Sequence, residues 1–155
     1  MTAYTDSYGF NKGSTAYPST YTNRFTVVEI DLDFAKIAAA RSAAGVAALA
    51  STDTLVLCTL PKGSLILGGG ATLVRAEGAS GTVDLGITGT LTLFGSNFDL
   101  NGTVGATSSG TTPAYLTADT NVVMTIDTSN IDAARIKVLI AVVNMGADQG
   151  SIPSA

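Results

Sequence analysis

The stretch that decides the fold is Thr54 to Ile87, TLVLCTLPKGSLILGGGATLVRAEGASGTVDLGI. It reads as a strand, a Pro-Lys-Gly turn, a long glycine-interrupted strand, a turn of small residues, and another strand. In Thr82-Val83-Asp84-Leu85-Gly86-Ile87 apolar residues recur at every second position. A β-strand sends successive side chains to opposite faces, so Val83, Leu85 and Ile87 are expected inside, with Thr82 and Asp84 outside. Pro61 presets φ for the first central position of a turn, and Gly63 or Gly68 can take the positive φ of a bend. Three consecutive glycines, Gly68 to Gly70, are poor strand interior. They are expected to mark a bulge or bend where the strand passes from one sheet to another.

Upstream, Phe25 to Leu32 (FTVVEIDL) alternates, with Val28, Ile30 and Leu32 on one face and Phe25, Val27, Glu29 and Asp31 on the other. Asp33 is a helix N-cap for the alanine-rich run beginning at Phe34, whose short apolar face is Phe34, Ile37 and Ala38. Arg41 sits near the negative end of that helix and Gly45 supplies its C-terminal stop. The helix is expected across an edge or end of the sheets. Downstream, Thr90–Phe94 reads as a short strand, Gly95-Ser96-Asn97 as a turn, and Phe98–Leu100 as a brief strand or loop edge. Gly102–Pro113 (GTVGATSSGTTP) reads as a long loop of low complexity. Asn121–Thr128 alternates with Val122, Met124 and Ile126 inward. Ile136–Met145 is apolar on both faces apart from Lys137 and Asn144, which suits a central strand. The expected fold is mostly β: an antiparallel β-sandwich of jelly-roll type with one short α-helix. Its divisions are an extended N-terminal arm (1–24), a β-sandwich domain (25–146) and a C-terminal tail (147–155).

The arm is polar but dotted with aromatics: Tyr4, Tyr8, Phe10, Tyr17 and Tyr21. Tyrosine buries much area at low entropic cost, so these residues, with Arg24, are the candidate partner-binding set. Charged residues are only 13% of the chain, about half the usual share, which leaves a neutral surface of hydroxyl and amide groups suited to protein contacts.

Composition also excludes. A net charge of −4 and singly scattered Lys and Arg leave no cationic track for nucleic acid. The apolar run Val138–Val143 is far shorter than the roughly 20 residues of a membrane helix, and no basic, apolar leader opens the chain. The absence of histidine removes the commonest general base and, with a single cysteine, any ordinary zinc set. Cys58, inside an apolar run, reads as a core residue. Asp31, Asp33, Asp99, Asp119, Asp127 and Asp132 remain, but without tryptophan or an aromatic-lined cleft a glycosidase reading is weak. Asp119 and Asp127 lack the pattern of a calcium loop, and cap or turn duties account for them better. No enzyme activity, cofactor or metal is expected.

The run from Val27 to Ile87 resembles small head-associated structural proteins of tailed bacteriophages, the decoration or cement class. The resemblance rests on a leading strand at Val27–Leu32 and the D-F-A-x-I-A-A-A-R helix at Asp33–Arg41. It continues with T-D-x-L at Thr52–Leu55, P-x-G-S-x-x-L at Pro61–Leu67, T-V-D-L-G at Thr82–Gly86, and A-D-T-N-x-x-x-T-I at Ala118–Ile126. It implies a protein made in the host cytoplasm that binds the outer surface of an assembled capsid. There it would contact the major capsid protein and cement neighbouring capsomers, often as a trimer. The alternative is a head fibre or surface module that recognises host polysaccharide through Gly102–Pro113, with Tyr115 as the nearby aromatic.

Overall fold

The computed structural model describes residues 4–5, 11–12, 25–128 and 130–144. Most of the arm and the tail after residue 144 lie outside the described residues. Within the arm, β1 (Tyr4–Thr5) pairs antiparallel with β2 (Asn11–Lys12).

The domain begins with β3 (Phe25–Asp33), and helix α1 (Phe34–Ala43) follows without a break. Both expected helix signals operate. The Asp33 side chain accepts from the Ala35 amide at 3.2 Å, and Gly45 takes φ 67° just past the end. The Gly45 and Val46 amides donate back to the Ser42 and Arg41 carbonyls at 3.0 and 2.9 Å, closing the last turn. Phe34 is buried and Ile37 packs against the core.

Eight further strands follow: β4 (Thr54–Leu60), β5 (Ser64–Arg75), β6 (Thr82–Ile87), β7 (Thr90–Asp99), β8 (Thr107–Gly110), β9 (Ala114–Tyr115), β10 (Thr120–Thr128) and β11 (Arg135–Asn144). They form a β-sandwich of two antiparallel sheets. One runs β3-β11-β5-β8, with β9 also on β5; the other runs β4-β10-β6-β7. The core lies between them, built from Ile66, Leu73, Val83, Leu85, Phe94, Met124, Ile126, Ile136, Val138 and Ile140. β11 is central, as its apolar character requires, but only its even-numbered positions are buried; Leu139 is exposed.

The pairing is nested. β3 lies beside β11, β4 beside β10, β5 beside β8, and β6 beside β7. The chain therefore behaves as a two-stranded ribbon that passes from sheet to sheet, and its two strands stay hydrogen-bonded at each passage. At one, Gly63 donates to the Leu116 carbonyl and Leu116 to Ser64, both at 2.8 Å. At another, Glu77 donates to Leu100 and Leu100 to Gly81, again both at 2.8 Å. At the third, Phe34 donates to Ala134 at 2.9 Å. Backbone groups that leave a sheet thus keep partners.

Four sequence expectations need correction. The chain does not change sheets at Gly68–Gly70. It does so at Pro61–Ser64, while β5 stays in one sheet with a register shift at Leu67, between Ile66 and Gly68. Close approach explains the glycines: a Cβ on Gly69 would lie 2.8 Å from the Phe94 ring, and one on Gly70 would lie 2.1 Å from the Ser108 carbonyl. In the Pro61 turn, Ser64 donates to the Pro61 carbonyl at 3.2 Å, so Lys62 and Gly63 are the central residues and Gly63 carries φ 84°. Gly95-Ser96-Asn97 is no turn. β7 runs through it with an extra residue against β6, Asn97 adopting φ 51° while its amide donates to Asp84 at 2.8 Å. Finally, Gly102–Pro113 contains β8, whose small side chains let its backbone lie close to β5 and β7.

Candidate functional site

Among the described residues no group of three or more His, Cys, Asp or Glu side chains is placed to hold a metal ion. Of the carboxylates singled out above, Asp31, Asp33, Asp99, Asp119 and Asp127 have structural partners. Asp119 accepts from the Lys62 amide at 2.8 Å, Asp99 from the Asn101 amide at 2.8 Å, and Asp127 from the Thr82 hydroxyl at 3.3 Å. Cys58 is half-buried on edge strand β4, and that burial pushes its thiol pKa up.

The feature that stands out is the outer face of the β3-β11-β5-β8 sheet. Alternation along β11 turns Arg135, Lys137, Leu139, Ala141 and Val143 outward, and the register sets them beside the outward positions of β3. Val143 pairs with Phe25, Ala141 with Val27, Leu139 with Glu29, Lys137 with Asp31, and Arg135 with Asp33. The face is therefore divided along its length. Its first half is apolar, with Phe25 56%, Val27 52% and Leu139 45% exposed. A shallow groove of about 300 Å³ continues this half between Leu139 and β8, across Gly68–Thr72.

The second half is ionic. Lys137 meets Glu29 at 3.1 Å, Arg135 grips Asp31 through two hydrogen bonds at 2.9 and 2.6 Å, and Arg75 reaches Asp33 at 2.7 Å. Lys137 and Arg135 each reach diagonally, to the acid beside the neighbouring β3 position. The Arg135 hydrogen bond holds the Asp31 carboxyl below its usual pKa. Burial pushes Asp33 upward, but Arg75 and the first helical amides outweigh it, and the net shift is down. These pairs lie at the surface, where solvent screening leaves each of them little to add to stability. Their larger effect is to leave no free charge for an oppositely charged ligand among these six groups, so the apolar half is the part with contact energy to offer.

Of the expected partner-binding residues, Tyr4 is described only as part of β1, where its backbone pairs with Lys12. Tyr8, Phe10, Tyr17, Tyr21 and Arg24 lie outside the described residues. Tyr115 is 55% exposed on β9, beside Leu65. Sequence reasoning missed the apolar half-face, because Phe25 and Val27 sit on β3 and Leu139 on β11, and only the register unites the two strands. It also missed Glu77, whose nearly buried carboxylate accepts from the Asp132, Ala133 and Ala134 amides at 2.8, 3.0 and 2.6 Å. Nothing local to Ala76-Glu77-Gly78 signals that partnership.

No protein-family model matches the chain, and no curated protein matches it. Solved structures do. A chain of the cyanophage Pam1 capsid asymmetric unit overlays with a TM-score of 0.55 at 15% identity, covering 77% of this chain and 84% of that one. A chain of the acid-stable capsid of Helicobacter pylori bacteriophage KHP30 gives 0.56 at 12%, covering 78% and 88%. A chain of the Ralstonia phage GP4 capsid gives 0.52 at 14%, covering 79% and 85%. Each overlay takes a larger share of the matched chain than of this one, so the matched chains are slightly shorter than this chain. The similarity shows that this sandwich occurs among chains of phage capsids.

Proposed function

We propose that this protein is a structural component of a phage virion that binds the outer surface of the assembled capsid and cements neighbouring capsomers. The observation that carries the reading is the overlay of about four-fifths of the chain on similarly short chains from three phage capsids. The nested strand order supports the jelly-roll reading of the sandwich. In this reading the protein works by contact area and not by chemistry. The major capsid protein is its partner, a homotrimer its working form, and the aromatic arm (Tyr4, Tyr8, Phe10, Tyr17, Tyr21, Arg24) its reach over neighbouring subunits. Mixed Tyr and Arg composition suits such contacts, because interface anchors are enriched in both.

The test is binding to heads of the source phage stripped of this protein, followed by sedimentation. The full chain should co-sediment in fixed stoichiometry and raise the temperature at which the heads release DNA. A chain lacking Met1–Asn23 should stay folded and bind at least tenfold more weakly. No binding by the full chain would overturn the function, and undiminished binding by the truncation would overturn the arm's part in it. The polysaccharide alternative draws on exposed Tyr115 alone; a glycan screen with Tyr115→Ala as control distinguishes it.

A further inference from the structure

β3 forms one border of its sheet, and among the described residues no strand lies beyond it. The direction of its free backbone groups follows from one hydrogen bond. Phe34 donates to Ala134 at 2.9 Å, and the unbroken register continues that bonding through the even-numbered positions of β3, from Leu32 back to Thr26. The N–H and C=O of Val27, Glu29 and Asp31 therefore point away from β11, to the open side. Val28, Ile30 and Leu32 face the core yet are only half-buried, whereas Ile140, Val138 and Ile136 beside them on β11 are fully buried. Proteins ordinarily blunt such borders, and the others of this sandwich are blunted. β4 carries Leu57 as an extra residue against β10, and β8 and β9 have only four and two residues. β7 lies so close to β8 that a Cβ on Gly110 would fall 1.9 Å from the Leu93 carbonyl. β3 has nine residues, no proline and no register slip, and its Glu29 and Asp31 are drawn back over β11 by Lys137 and Arg135.

We propose that β3 takes up an extended segment of the partner polypeptide, which joins the sheet as a further strand. Only another backbone offers donors and acceptors at the spacing of the groups on Val27, Glu29 and Asp31. Side chains of the added strand sit beside Phe25 and Val27 on the outer face, extending the apolar half. On the inner face they sit beside Val28 and Ile30 and close the open side of the core. Neutral residues fit next to Glu29 and Asp31, because those acids already have cationic partners. A second copy of β3 is the wrong occupant. Antiparallel pairing of the whole strand with itself sets Glu29 against Glu29. Pairing Phe25–Asp31 with itself sets Asp31 against Phe25 and Glu29 against Val27. On the outer face neither register supplies the apolar or opposite-charge neighbours that stabilise adjacent strands. The partner's identity rests on the capsid reading above, in which the added segment belongs to the major capsid protein.

The free border is measured on the full chain alone, so it can be refuted without touching the capsid reading. In NMR hydrogen exchange the Val27, Glu29 and Asp31 amides should exchange about a hundredfold faster than those of Val28 and Ile30. Equal protection means that the border is already taken, and overturns the proposal. Binding is read by co-sedimentation with heads of the source phage stripped of this protein. Val27→Pro removes a border N–H and leaves the β11 ladder whole, so it should stay folded by circular dichroism. It should bind about tenfold more weakly than Val27→Ala, because a carbonyl of the added strand is left unpaired. Should the proline variant misfold, mass-spectrometric exchange over Phe25–Asp33 of the unmodified chain decides: it should slow about tenfold on the heads. A folded Val27→Pro that binds as well as Val27→Ala, or unchanged exchange on the heads, overturns the proposal and leaves the capsid reading standing. Failure of the unmodified chain to bind overturns both.

Discussion

Replacing Glu77 with alanine tests how the sandwich is held at the end where its ribbons cross. The Glu77 carboxylate reaches from the connection between β5 and β6 to that between β10 and β11. One oxygen takes the Asp132 amide and the other takes Ala134, while Ala133 lies within bonding distance of both. Ile131 and Ala134 on either side are buried, which limits the water available to replace a lost acceptor. An unpaired buried donor costs about 1–3 kcal/mol, and bonds to a charged group sit in the upper part of that range. Three amides at the lower end, allowing for some water entry at the partly buried Asp132 and Ala133, give a loss of about 3–4 kcal/mol. For a domain of this size that is a fall in Tm of roughly 6–16 °C. Glu77→Gln keeps one acceptor oxygen and turns an NH2 toward amide donors, so its loss should be about half. Thermal unfolding by circular dichroism, checked against urea denaturation, reads both. A loss below about 1 kcal/mol for the alanine variant, or a glutamine variant as stable as the parent, would refute the assignment.

Gly110→Ala should be the most damaging single-methyl change, since its Cβ would fall 1.9 Å from the Leu93 carbonyl. The expected loss exceeds about 3 kcal/mol, and soluble yield with Tm reads it. Gly45→Ala meets no atom within 4 Å but must hold φ 67°, so it should cost about 1 kcal/mol, a fall in Tm of about 2–4 °C. Asp31 has a folded pKa below its unfolded value of about 3.9, so its contribution is present above that pH and is lost as pH falls through the folded value. Asp31→Asn should therefore lower Tm relative to the parent at pH 6, with the difference closing toward pH 2. A difference that persists unchanged at pH 2 would show that the Arg135–Asp31 pair is not its source.

Local signals were read correctly where the physics is local. Asp33 and Gly45 bracket α1 because capping needs only a side-chain acceptor at one end and a positive φ at the other. Alternation placed Val83, Leu85, Met124 and Ile126 in the core for the same reason. Failures came where the meaning of a residue depends on a distant strand. Gly68–Gly70 reads as a bend until Phe94 and β8 are seen lying against it. Thr107–Gly110 reads as a loop because smallness, its qualification for close pairing, resembles disorder in composition. Asn97 reads as a turn because a bulge and a turn need the same φ. The apolar half-face was invisible because Phe25 and Val27 lie more than a hundred residues from Leu139, Ala141 and Val143, and the two groups meet only through the β3–β11 register.

That register has a mechanical meaning. β3 and β11 match without a slip from Phe25 opposite Val143 to Asp33 opposite Arg135. Tension drawn through the arm along the axis of β3 strains all nine rungs together, as in a lap joint under shear. The same pull directed across the sheet opens them one after another from Phe25, like a zip. In the capsid role proposed above, strength against an expanding shell would depend less on how many bonds anchor the arm than on the angle at which it leaves the domain.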